Sequence, residues 1–154
     1  MSTMKRWMSL CLVLCATVCF SASDVFVSHA QDASGEQNNV VTEVLLDNVT
    51  CSWDGKTLEA YLSGQPAITM LKITVPPKTR LKSHYHSVIN VGYMLEGELT
   101  VIGENGLTKT IKAGEPLIEM VGTVHYGENK SDSPAVILVF YAGDTVTPIT
   151  TAVD

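Results

Sequence analysis

The sequence lacks most features that mark nucleotide or nucleic-acid proteins. Cationic side chains are scarce: 10 Lys and Arg stand against 16 Asp and Glu, a net charge of −6. That leaves no basic face for a phosphate backbone or an anionic membrane surface. No Gly-rich loop runs into Lys-Ser/Thr and no Gly-x-Gly-x-x-Gly follows a strand-like run, so nucleotide binding has no support. The longest apolar run, Trp7 to Phe20, has 14 residues, short of the roughly 20 that span a bilayer. No long 3.6-residue period argues for a helical domain. With 154 residues, 45% of them hydrophobic, the chain supports one buried core and not two ordinary domains.

The first thirty residues read as a segment to be removed. Lys5 and Arg6 precede the apolar run, and small residues follow it at Ser21-Ala22-Ser23 and Ser28-His29-Ala30. This is the pattern of a secretory signal peptide over residues 1–30, with a mature start at Gln31 and a periplasmic or secreted product that has no membrane segment. Cleavage after Ser23 and an uncleaved anchor are the alternatives. Removal takes Cys11, Cys15 and Cys19 and leaves Cys51 alone, so no intramolecular disulfide can form. Cys51 then either packs as a small buried side chain or links two chains in a homodimer. Lys5, Arg6 and Asp24 leave with the segment, so residues 31–154 carry 8 basic and 15 acidic groups. Three histidines remain: His84, His86 and His125.

Residues 31–39 are polar and without period, a flexible leader. From Val40 to the end the pattern is that of one β domain. Strands are expected at Val40–Leu46, Leu58–Leu62, Ala67–Val75, Val88–Leu95, Glu98–Ile102, Leu107–Ile111, Leu117–Val121, Val124–Tyr126 and Ala135–Tyr141. Asp54-Gly55, Pro76-Pro77, Asn105-Gly106 and Ser131-Asp132-Ser133-Pro134 punctuate them, and Asn105-Gly106 is a hairpin signal. Short strands at about ten-residue intervals predict an all-β sandwich or barrel.

The chemistry lies in the histidines. In His84-Tyr85-His86 strand alternation puts both imidazoles on one face, close enough to share an ion. His125 offers a third, and three protein ligands with open positions are the arrangement that metal catalysis uses. The plainer alternative leaves His84 and His86 on an exposed edge and His125 hydrogen-bonded in the core.

Spacing bears on the choice. His84-x-His86, then Asn90, then Gly97 resembles the first signature of the cupin family, with Asn90 where a glutamate is usual and Lys78 where a glycine is usual. Gly114, Gly122, His125 and Asn129 fall at the intervals of the second signature, with Met120 in place of proline. The resemblance covers residues 64–143. It implies a single antiparallel jelly-roll barrel holding one divalent metal inside through His84, His86 and His125, with Asn90 in the place of the acidic ligand.

Asn90 shares parity with the two histidines, but its amide brings no charge, so three neutral imidazoles and Asn90 would leave an ion its full +2. Such a site favours an anionic ligand. Zinc, iron, nickel, cobalt or copper suit it better than manganese, which prefers carboxylate oxygen. The alternative is that Asn90 satisfies only a neighbouring backbone group. Glu119 interrupts Leu117-Ile118-Glu119-Met120-Val121: inside, it serves as a catalytic acid–base or replaces the missing acidic ligand; outside, it is a solvated strand residue. Asn129 is expected to be a structural hydrogen-bonder, and Glu96 and Glu98 to be solvated. Two function classes follow: a metal-dependent enzyme, dioxygenase-like or isomerase- or lyase-like, on a small oxygenated or carboxylated molecule; or a non-catalytic exported barrel that binds a small ligand. The exported product is expected to begin at Gln31. Intact-mass measurement of secreted material checks this, and a mass for residues 1–154 would contradict it.

Overall fold

Apolar and polar residues that alternate at every second position lay a chain down as strands with one dry face. The chain does this repeatedly from residue 66 onward. The computed structural model describes residues 40–153. Within them the strands are β1 (Pro66–Val75), β2 (Thr79–Arg80), β3 (His84–Tyr85), β4 (Ile89–Glu96), β5 (Glu98–Gly103), β6 (Thr108–Lys112), β7 (Pro116–Ile118), β8 (His125–Asn129), β9 (Ala135–Asp144) and β10 (Thr151–Ala152). The signal-peptide residues, the leader and Cys11, Cys15 and Cys19 lie outside the described residues.

The strands form a four-stranded sheet, β1-β9-β4-β7, and a six-stranded sheet in which β10-β3-β8-β5-β6 lie in line and β2 pairs with β8. All these ladders are antiparallel. Neighbours are mostly not consecutive in the chain, so the path crosses between sheets as a jelly roll does. β9 organises the first sheet: it pairs with β1 from Pro66↔Asp144 to Val75↔Ala135 and with β4 from Ile89↔Ala142 to Glu96↔Val136. Along β4, Asn90, Gly92 and Met94 point inward; along β8, His125, Gly127 and Asn129 do. The core includes Val75, Met94, Val101, Ile111 and Met120, each at most 1% exposed. Burying such a side chain contributes roughly 1.5–3 kcal/mol.

Two expected strands are not formed. Val40–Leu46 and Leu58–Leu62 are irregular, and before Pro66 the pairing among the described residues is the bridge Cys51↔Thr57. β-branched residues favour a strand only where a neighbouring strand accepts their hydrogen bonds. The N-terminal strands expected at the start of the barrel domain are therefore corrected to an irregular approach ahead of β1. Conversely, β2, β3 and β10 are two residues each, too short to carry a period. Cys51 is free and half-buried rather than buried.

The turns follow their chemistry. Gly106 has φ 80° between β5 and β6, as Asn-Gly requires. Gly97 has φ 73°, and a Cβ there would sit 2.7 Å from the Pro134 carbonyl oxygen and 3.2 Å from Ala135 Cα, both backbone, whereas nothing lies within 4 Å of one at Gly106. Gly106→Ala should therefore cost only left-handed strain, about 1 kcal/mol, or about 3 °C in melting temperature. Gly97→Ala should cost at least about twice as much, because backbone must also move. Equal losses in thermal melts would contradict this account of the β4–β5 corner.

Candidate metal centre

β3 and β8 run side by side with His84 opposite His125, and His86 follows in a bridge to Val121. The three rings therefore meet inside the barrel, their centroids 4.7–5.0 Å apart. One ring nitrogen from each histidine lies within 4.8 Å of the other two. The opposite nitrogens are committed. Nδ1 of His84 donates to the Lys82 carbonyl at 2.8 Å, Nδ1 of His125 to the Thr123 carbonyl at 2.8 Å, and Nδ1 of His86 to the Ile149 carbonyl at 3.0 Å, with Thr150 Oγ1 at 3.1 Å. A carbonyl only accepts, so the Nδ1 atoms carry the protons and the converging Nε2 atoms present lone pairs. This is the outer hydrogen bond that orients a metal-binding imidazole.

Electrostatics favour the same state. His86 is lowered to about 4, first by burial and then by His125 and His84 beside it, against the pull of its Ile149 hydrogen bond. His125 is lowered chiefly by burial. Both imidazoles are thus held neutral at pH 7, and the convergent lone pairs call for a cation other than a proton.

Glu119 lies in the same wall. It is 8% exposed, and burial raises its carboxyl to about 7, opposed by the Met120 backbone N–H. Its Oε2 stands 3.6 Å from His125 Nε2. Neutral His125 does not make that contact an ion pair, and 3.6 Å is too long for a hydrogen bond. Oε2, His125 Nε2 and Asn90 Oδ1 are all buried without a hydrogen-bond partner. Asn90 is fully buried, with Nδ2 only 3.4 Å from the Val88 carbonyl. Three orphaned acceptor atoms around one cavity form a donor set that fits a divalent cation, and burying them without one is costly. His84, His86 and His125 could hold the ion, with Glu119 and Asn90 beside it.

The cavity is about 60 Å³ and is otherwise walled by aliphatic side chains, among them Leu81, Val101, Ile137 and Val139, and by Tyr141. Tyr141 was not signalled by either motif. It stacks edge-on against His86 at 5.5 Å between ring centres, and burial raises its phenol, opposed by a hydrogen bond with Thr150 and reinforced by Glu119. β9 is apolar on both faces from Ala135 to Ala142, so strand alternation gives no sign of it.

Other residues singled out in the sequence are structural. Asn129 Nδ2 donates to the Val75, Pro76 and Ser133 carbonyls at 3.0, 3.1 and 2.8 Å and ties the β1 and β8 ends together. Glu96 is exposed and Glu98 half-buried. Lys78, where the motif has glycine, adopts φ 53°, so the left-handed turn persists with a less suited residue.

Residues 71–141 match the family model for the cupin domain. No curated protein matches the sequence significantly. Among solved structures, a double-stranded β-helix protein from Klebsiella pneumoniae superposes with a TM-score of 0.50 at 19% identity, over 62% of this chain and 90% of that one. A structure of DMSP lyases gives 0.50 at 13% identity, over 56% and 44%. The DMSP lyase DddQ from Ruegeria pomeroyi gives 0.49 at 20% identity, over 55% and 42%, so this chain spans under half of that enzyme's length. At such identities the two likenesses with a TM-score of 0.50 carry the fold alone. The chain has a cupin domain over residues 71–141, an all-β jelly-roll barrel in which three histidines are placed to hold a metal ion.

Proposed function

We propose that the protein is an exported metal-dependent enzyme. His84, His86 and His125 hold one divalent transition-metal ion, and Glu119 acts as acid–base on a small oxygenated or carboxylated substrate. The observation that carries this reading is the buried Glu119 carboxyl, whose Oε2 has no hydrogen-bond partner and stands 3.6 Å from His125 Nε2 in the wall of the same cavity. A barrel that only bound a ligand would gain nothing from burying a carboxyl oxygen without a partner beside the three imidazoles. Bound there, the ion would supply Lewis-acid polarisation of a substrate oxygen.

The chain's own residues set the substrate class. Three neutral imidazoles leave the ion's charge uncompensated, and one Glu119 carboxylate offsets only half of it, so an anion is favoured. The cavity is small, about 60 Å³, which favours a substrate that reaches the ion with a small polar group. The aliphatic wall suits a short apolar body behind a polar head. Burial raises the Glu119 carboxyl to about 7 and a cation beside it would draw it down again, so Glu119 is assigned the role of base at neutral pH. Export rests on the sequence of residues 1–30, and the acidic surface gives no reason to expect nucleic acid.

Elemental analysis of protein reconstituted with zinc, iron, nickel, cobalt or copper, beside turnover of a panel of short carboxylates followed by NMR, tests the proposal. His84→Ala, His86→Ala and His125→Ala should each lower metal occupancy at least about tenfold. Glu119→Gln should keep the metal and lose roughly 10²-fold or more in turnover. Full metal content in His84→Ala would defeat the ligand set. Substrate binding without conversion in the unsubstituted protein would make the barrel a binding protein.

A further inference from the structure

The cavity holds one buried hydroxyl that neither faces the ion as a ligand nor serves as the base. Tyr141 lies in its wall with Ile137 and Val139 from the same strand, opposite Asn90 across the β4–β9 ladder, and is 3% exposed. Its ring stands edge-on to His86, and Glu119 is near enough for its charge to act on the phenol. A tyrosine buried this far normally finds a partner for its O–H.

The last residues of the chain decide how that hydroxyl is used. β10 pairs with β3 through Thr151↔Tyr85 and Ala152↔His84, the Val153 N–H donates to the Ser83 carbonyl at 2.9 Å, and Ile149 packs against the core. Thr150 is thereby fixed beside His86, with its Oγ1 3.1 Å from Nδ1. Nδ1 carries the proton, so Oγ1 accepts there and keeps its own hydrogen for a second partner. That partner is Tyr141. The Thr150 hydrogen bond acts to lower the phenol, which is what a hydroxyl does when it donates to the phenol oxygen. The phenol oxygen therefore receives from Thr150, and its own hydrogen is left for an acceptor in the cavity.

We propose that Tyr141 is the hydrogen-bond donor that anchors a small carboxylate in this cavity: one carboxylate oxygen goes to the ion on the three imidazoles and the other accepts from the Tyr141 hydroxyl. Thr150 is the positioning residue behind it. This rests on the three-histidine metal site and on the site's preference for an anion. The other polar side chains of the wall cannot take the second oxygen as well. The imidazoles turn lone pairs inward, and Glu119 as a base offers a carboxylate that repels an anion. Asn90 has Nδ2 turned to the Val88 carbonyl and leaves Oδ1 unpartnered. Among so many acceptors an anion needs a donor, and hydrogen bonds to a charged acceptor are the strong ones. A phenol provides one without adding charge to the cavity.

Visible spectra of the cobalt-loaded protein titrated with acetate test this without any turnover. The unsubstituted protein should bind acetate at the ion. Tyr141→Phe should keep its cobalt and bind acetate at least roughly tenfold more weakly, the worth of a hydrogen bond to a charged group. Thr150→Val should weaken acetate by a smaller factor, and Thr150→Ser, which keeps the hydroxyl, should restore it. Acetate held as tightly by Tyr141→Phe overturns the proposal, as does no acetate binding by the unsubstituted protein. Loss of cobalt from Tyr141→Phe overturns it too, because the ring would then serve only to support His86. Should Tyr141→Phe fail to fold, the Thr150 pair decides: equal binding by Thr150→Val and Thr150→Ser is the contrary result. An unsubstituted protein that takes up no cobalt defeats the metal site and this assignment with it. Acetate binding that depends on Tyr141, in a protein that converts no carboxylate, upholds the assignment and defeats only the enzyme.

Discussion

Three Nδ1–H groups held by backbone carbonyls govern the site. The carbonyls of Lys82, Ile149 and Thr123 each take a proton from one imidazole, and each thereby turns a lone pair toward the barrel interior. Reversal of the His86 or His125 tautomer would leave a part-buried Nδ1 and a carbonyl facing each other without a proton, at a cost of about 1–3 kcal/mol; the His84 contact is exposed to solvent and costs less to reverse. The backbone is placed to do this by the pairing of β3 with β8 and by the approach of residues 149–150 at the end of the chain. Local hydrogen bonds thus choose the protonation of the ligands before an ion arrives.

That arrangement makes sense of the surrounding burial. Glu119, Asn90 and His125 present unpaired acceptors to one small space, while burial keeps His86 and His125 neutral and Glu119 near 7. Without a cation these are three separate penalties. With one they become a single coordinated environment, in which a charge supplied by the ion is matched by one carboxylate and oriented dipoles. The aliphatic wall strengthens each of these interactions by excluding water.

Much of this was legible in the residues. His84 and His86 share a face because strands alternate, and the intervals to Gly97 and from Gly114 to Asn129 placed His125 opposite them. Asn90 lines the same cavity as the histidines although a bend at Ser87 and Val88 separates β3 from β4, so parity with the histidines is not what places it there. Glu119 was undecidable by parity, and the structure shows why: β7 ends at Ile118, and Ile118, Glu119 and Met120 are buried in succession, so alternation has no meaning there. Val40–Leu46 misled for the opposite reason. Its propensity for a strand is real, but propensity does not provide a neighbour, and the barrel offers that segment none of its own. Tyr141 was hidden because an aromatic residue in a β-barrel is usually packing, and only the positions of His86 and Glu119 in space single it out.

X-ray absorption at the metal edge of protein loaded with zinc or cobalt tests the central claim most directly. The account predicts nitrogen and oxygen neighbours at about 2.0–2.1 Å with outer-shell scattering from three imidazoles. Sulfur scattering from Cys51, or an oxygen-only shell without imidazole, would contradict it.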